Sequence, residues 1–251
     1  MNKVISVSRI VAAVTLLAFS VPVHAAKTDD RIEATAKQSY VFKTYLKGDD
    51  IKVKSSEGVV TLTGVVSEES HKALASDTVA GLPGVKSVDN KLAVKTVSPA
   101  VGSDEWLITK VKTTLLFHRS VSAGKTEVFA KDGIVTLRGE AATQAQKELT
   151  TEYARDVEGV KDVNNEMIVK TTKNEKRTVG AKIDDASITA QVKMTLLYHR
   201  STSAVNTSVT TKKGVVTVSG KAANQAEKDL VSKLVADING VKQVTNRMTI
   251  E

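Results

Sequence analysis

Gly133-Ile134-Val135-Thr136-Leu137-Arg138-Gly139 is a short β-branched stretch bracketed by glycines, and this chain of 251 residues carries it three times. It recurs as Gly58-Val59-Val60-Thr61-Leu62-Thr63-Gly64 and as Gly214-Val215-Val216-Thr217-Val218-Ser219-Gly220, at offsets of 75 and 81. The same offsets relate Gly84, Gly159 and Gly240, and they relate Asn90, Asn165 and Asn246. Constant offsets mean a unit of constant internal length, so the six extra residues of the second offset lie between units.

Working outward from Gly133, Glu127-Val128-Phe129-Ala130 alternates before Lys131-Asp132-Gly133, which reads as a β-hairpin with its glycine at the turn. Upstream, Leu107, Val111 and Leu115 fall every four residues and mark a helix. Its counterparts are Ile32, Ala36, Tyr40 and Ile188, Val192, Leu196. Ser103 followed by Asp104 and Glu105 suits a helix start, as do Asp29 and Asp184. Downstream, Leu149, Tyr153, Ala154 and Val157 form a second helical stripe closed by Gly159, and Val160, Val163, Met167 and Val169 alternate as a last strand.

The unit therefore reads αββαβ. The fold class is α+β, three tandem small domains, each with two helices packed on a three-stranded mixed sheet. The expected boundaries are 29–97, 103–172 and 184–251, with a basic linker at 173–183. The recurring glycines Gly58, Gly64, Gly84, Gly133, Gly139, Gly159, Gly214, Gly220 and Gly240 are read as structural, serving turns and helix ends.

Lys3 and Arg9, the apolar run from Ile10 to Val21 and then Val23-His24-Ala25 read as a cleavable export signal over 1–25. The run is too short to span a bilayer. The chain has no cysteine, which excludes disulfides, thiolate metal sites, thiol nucleophiles and a lipid-modified cysteine. The expectation is a periplasmic protein that is not a lipoprotein. The formal charge of +8 drops by Lys3 and Arg9 if the signal is removed. The rest is uneven, with 29–97 neutral while 173–183 and 184–251 each carry +3.

The motifs resemble the BON domain family of bacterial periplasmic and outer-membrane-associated proteins. The likeness rests on Gly133 to Gly139 followed by Gly159-Val160-Lys161-Asp162-Val163-Asn164-Asn165, repeated comparably in the other units. It covers nearly all of the chain beyond the export signal. It implies an osmotic- or envelope-stress protein whose partners are an anionic membrane surface or unfolded periplasmic proteins, in a phospholipid-binding or chaperone role. The kind of member it most resembles has two such domains, where this chain has three.

No catalytic set converges. His118 and His199 occupy equivalent positions, in Phe117-His118-Arg119-Ser120 and Tyr198-His199-Arg200-Ser201, where the first unit has Lys43. They read as cations favoured by the end of a helix. His71 reads as solvated surface. No histidine-carboxylate cluster with ligand spacing occurs, so no metal, cofactor or enzymatic activity is expected. Nucleic acid is not an expected partner behind an export signal.

The candidate lipid- or partner-binding residues are Lys173, Lys176, Arg177 and Lys182 of the basic linker. To these the resemblance adds Phe117, Arg119, Tyr198 and Arg200 at the ends of the first helices. The alternative reading is a self-associating structural protein that links envelope components through exposed strand edges.

Overall fold

The repeated stretch is the central strand of each unit. The computed structural model describes residues 23–95, 99–170, 182–202 and 207–251, with side chains from Lys27 onward. In the first copy β1 (Asp50–Ser56) pairs antiparallel with β2 (Val59–Val66), and β2 pairs parallel with β3 (Ser87–Val94). The second copy repeats this with β4 (Thr126–Lys131), β5 (Ile134–Ala141) and β6 (Asp162–Asn165). Its last strand is interrupted and resumes as β7 (Ile168–Val169), still beside β5. The third copy does the same with β8 (Thr207–Lys212), β9 (Val215–Ala222), β10 (Gln243–Asn246) and β11 (Thr249–Ile250).

Each hairpin closes on two residues with positive φ. Asp132 has φ 55° and Gly133 has φ 85°, the mirror-image turn whose twist matches the strands it joins. An aspartate of the preceding helix, its first residue in the second and third copies, holds this turn. Asp104 accepts from the amides of Asp132 (2.9 Å) and Gly133 (3.0 Å), and Asp185 accepts likewise from Lys213 and Gly214. Asp29 accepts from Glu57 and Gly58. Asp29 thus lies within its helix, α1 (Val23–Gln38), instead of starting it. Gly139, with φ 119°, has no space for a side chain: a Cβ there would stand 1.9 Å from the Lys125 carbonyl oxygen.

The helices cover one face of each sheet. The second and third copies use α4 (Asp104–Phe117) with α5 (Gln144–Arg155), and α6 (Asp185–Tyr198) with α7 (Gln225–Ala236). Ser103 and Asp184 cap α4 and α6, accepting from Trp106 N and Ser187 N. In the first copy the expected single helix through Tyr40 breaks. Ser39 Oγ donates back to Ala36 O and accepts from Phe42 N, so a short α2 (Tyr40–Thr44) starts afresh. The third copy holds this break, because Asp184 Oδ2 accepts from Tyr40 N at 2.7 Å and Ser187 Oγ from Val41 N at 3.1 Å. The second helix of the first copy is α3 (Glu69–Ala80).

The first and third units share one core, while the second keeps a core of its own. Ten residues of α6 are buried, polar Ser187, Thr189, Gln191 and Thr195 among them, so most of the helix surface is covered. Its own sheet covers one side and the first copy another. Gly81, just after α3, lies so close that a Cβ there would meet Ala186 Cβ at 3.2 Å. The buried apolar residues of the first and third copies form one continuous cluster, which also takes in Phe117 from the second.

The shared asparagines hold the last strand to the second helix. Asn165 Nδ2 donates to Lys147 O and Thr151 Oγ1, while its Oδ1 accepts from Met167 N. Asn246 does the same with Lys228, Ser232 and Met248.

Candidate functional site

The first helices of the second and third copies end in His-Arg-Ser, and each of these segments inserts into the other copy. His118 and Ile238 form a single antiparallel bridge, and so do Val157 and His199. Arg119 N donates to Asp237 O at 3.0 Å and Arg200 N to Asp156 O at 2.9 Å. Asn239 N donates to Phe117 O at 2.9 Å and Glu158 N to Tyr198 O at 3.0 Å. Equivalent groups meet equivalent groups, the pattern of a two-fold interface within one chain.

The side chains complete this clasp. The last residue of α7 and the turns that follow α7 and α5 present backbone carbonyls, and the two guanidinium groups donate to them. Arg119 donates to the carbonyls of Ala236, Ile238 and Val241. Arg200 donates to those of Val157 and Val160. A flat, permanently charged group with several fixed donors suits such a ring of carbonyls.

The histidines break the symmetry. The ring of His118 is fully buried, stacks on Tyr153 at 3.8 Å, and presents Nδ1 to Asp237 Oδ2 at 3.2 Å. An ionised carboxylate only accepts, so Nδ1 carries the proton. Asp237 also accepts from Ser120 Oγ and, at 2.7 Å, from Tyr153 OH. Burial alone would raise the Asp237 pKa, but bonds from His118, Ser120 and Tyr153 outweigh it and hold the carboxyl below its ordinary value. Burial, with the Asp237 carboxylate beside it, pushes the Tyr153 hydroxyl well up. His199 Nδ1 instead accepts from Ser201 N at 3.1 Å, which places its proton on Nε2, 3.5 Å from Asp156 Oδ2. The His199 ring beside it lowers Asp156.

These carboxyls set an acid limit. A carboxyl whose folded pKa lies below its unfolded value contributes stability that is complete above the unfolded value and is lost as pH falls through the folded one. Asp29 and Asp104 are lowered too, chiefly by the Ser55 hydroxyl and by the Gly133 amide respectively. The melting temperature is therefore expected to hold down to about pH 5 and to fall below it. A thermal melt series read by circular dichroism checks this, and a flat profile to pH 3 (about two units further down) would contradict it.

Several expected sites look different in the folded chain. Phe117 is fully buried, its ring 5.3 Å from that of Tyr45, so it closes a contact among the three copies and faces no membrane. Arg119 and Arg200 are exposed, but their guanidinium groups are held by carbonyls of the other copy. Tyr198 is half-buried, and burial pushes its hydroxyl up to about 12. His118 and His199 do stand at helix ends, but their partners are carboxylates of another copy. His71 is not solvated surface: its Nδ1 lies 2.6 Å from Asp49 Oδ2, a carboxylate that is almost wholly buried. Lys173, Lys176 and Arg177 lie outside the described residues. Lys182 is exposed and lines a cavity of about 440 Å³ with Arg31 and Lys43.

The clasp left a mark in the sequence. Both halves occur together in the second and third copies, His-Arg-Ser with an aspartate after the second helix. The first copy lacks both, with Lys43-Thr44-Tyr45 and Gly81 in their places.

The comparisons agree with the repeat. The BON domain profile matches residues 28–96, 103–171 and 184–251. Osmotically-inducible protein Y of Escherichia coli is 32% identical over 146 residues, 57% of this chain and 73% of the relative. Outer membrane lipoprotein DolP of Haemophilus influenzae is 30% identical over 141 residues, 54% of this chain and 71% of that one. A 21 kDa hemolysin of Actinobacillus pleuropneumoniae is 32% identical over 115 residues, 45% of this chain and 59% of that one. With three matched units that fill most of its length, the chain belongs to the BON domain family.

Proposed function

We propose that this is an exported, non-enzymatic envelope-stress protein that attaches to anionic phospholipid surfaces through the junction of its first and third copies. The observation that carries the reading is the group Arg31, Lys43 and Lys182 around one cavity, none of them in an ion pair with a described residue. Lys182 continues the basic stretch of Lys173, Lys176 and Arg177. Near an anionic surface each such cation contributes about 1 kcal/mol, so the group supports weak, salt-sensitive attachment. The similarity to an osmotically inducible protein and to an outer membrane lipoprotein supports the envelope setting. No helix among the described residues is long and apolar enough to cross a membrane.

Sedimentation with phosphatidylglycerol-containing vesicles tests the reading. Binding is expected at low salt and not at raised salt, and an Arg31→Ala, Lys43→Ala, Lys182→Ala chain is expected to bind about a hundredfold more weakly. No binding at either salt would overturn it.

A second reading, holding unfolded exported polypeptides, is favoured by the strand edges. β1, β4 and β8 each have one neighbour. Lys52, Lys54, Lys131 and Lys212 on these strands discourage pairing between copies of the chain, which counts against the self-associating alternative. Suppression of aggregation of an unfolded client by a chain that ignores vesicles would favour it.

A further inference from the structure

A second cavity, of about 510 Å³, lies where all three copies meet. That size falls within the range of sites for small organic ligands. Its walls are apolar: Val94 of the first copy, Pro99 and Val101 of the connection, Trp106 of the second and Leu197 of the third. Val101 is 85% exposed and Leu197 52%, so a strip of apolar surface stands open to solvent at its mouth.

Two kinds of charge face this apolar space. Lys110 is one. Its side chain is 9% exposed, and its Nζ sits 3.7 Å from the centre of the Trp106 ring and 5.0 Å from that of Tyr198. Its one carboxylate partner among the described residues is Glu158 at 3.3 Å, itself 66% exposed. Burial pulls the amine below its ordinary pKa and Glu158 restores only part of the loss. An ammonium has three donors, so Lys110 can take a further anionic acceptor. Glu68 and Glu69, from the start of α3, line the same cavity and bear on the Tyr198 hydroxyl. Glu69 has Lys72 at 3.9 Å, whereas Glu68 has no cationic partner among the described residues.

We propose that this junction binds a single-chain zwitterionic amphiphile, a monoacyl phosphoethanolamine. Its apolar tail lies along Val94, Val101 and Leu197, its phosphate meets Lys110, and its ammonium meets Glu68. An anionic amphiphile leaves Glu68 without a cation and a cationic one leaves Lys110 with Glu158 alone, so the mixed charges select the zwitterion. The site needs residues from all three copies, which sets it apart from the basic group at Arg31, Lys43 and Lys182.

Trp106 is the single tryptophan of the chain, and it reports directly on the cavity. Lauroyl lysophosphatidylethanolamine, titrated below its micelle-forming concentration, is expected to give a saturable fluorescence change. Lauric acid and dodecyltrimethylammonium should bind at least tenfold more weakly. Leu197→Asp, at an exposed position, should weaken the zwitterion at least tenfold with the circular dichroism spectrum unchanged. Glu68→Gln should abolish the preference over lauric acid. Lys110→Met, followed by calorimetry, should abolish the preference over the cationic probe. Vesicle sedimentation of the Leu197→Asp chain should be unaltered, so this site and the anionic-surface reading fail separately. A non-saturable signal, equal affinity for all three heads, or indifference to Leu197→Asp would overturn the proposal.

Discussion

Replacing Asp237 by alanine is expected to cost about 3–5 kcal/mol, because it strips a largely buried carboxylate from three donors at once. His118 would be left fully buried with neither ring nitrogen bonded, since its Nε2 already has no partner among the described residues. Tyr153 OH and Ser120 Oγ would lose their acceptor as well. Asp156→Ala, the equivalent change, is expected to cost about 1 kcal/mol or less. Asp156 is 38% exposed at its side chain, and the His199 contact there is 3.5 Å long. Urea unfolding of the two variants measures the difference. Equal losses would show that the near symmetry of the backbone extends to the energetics.

The second large effect falls on Phe117. Phe117→Ala is expected to cost about 3–5 kcal/mol, the loss of a wholly buried aromatic plus the cavity it leaves. The damage should not stay in the second copy. Phe117 packs with the joint core of the first and third copies, so its removal should loosen α2 and its ring contact at Tyr45. Limited proteolysis is expected to cut first in the first copy. Cleavage confined to the second copy would contradict this.

Much of the fold was legible, because three copies of one pattern check one another. Period-four stripes, the glycine-flanked strand and constant offsets together gave αββαβ. The shared asparagines were visible as a recurrence, although their bonds to the second helix were not. The aspartates at 29, 104 and 185 were also shared, yet each reads locally as ordinary first-turn acid. Their work is done on a hairpin turn 28 and 29 residues away, which no local pattern reports.

The site was less legible for a different reason. Phe117-His118-Arg119-Ser120 has an aromatic beside two basic residues, the composition of a membrane-facing helix end. Carbonyls at the end of another helix satisfy an arginine as well as phosphate does, and only tertiary structure decides between them. The break at Ser39 has the same origin, since Asp184 and Ser187 lie 144 and 146 positions along the chain from Tyr40 and Val41, whose amides they hold. The first copy diverged in both halves of the clasp together, leaving it free to pack on α6 and to keep Lys43 in the open.

Native-state hydrogen exchange at four backbone amides tests the clasp most directly. Arg119, Glu158, Arg200 and Asn239 lie outside the helices and strands, and each amide donates to a carbonyl of the other copy. All four are expected to exchange slowly, with one common opening free energy, and to speed up together in the Asp237→Ala chain. Exchange of these amides at the rate of free loops would contradict the clasp.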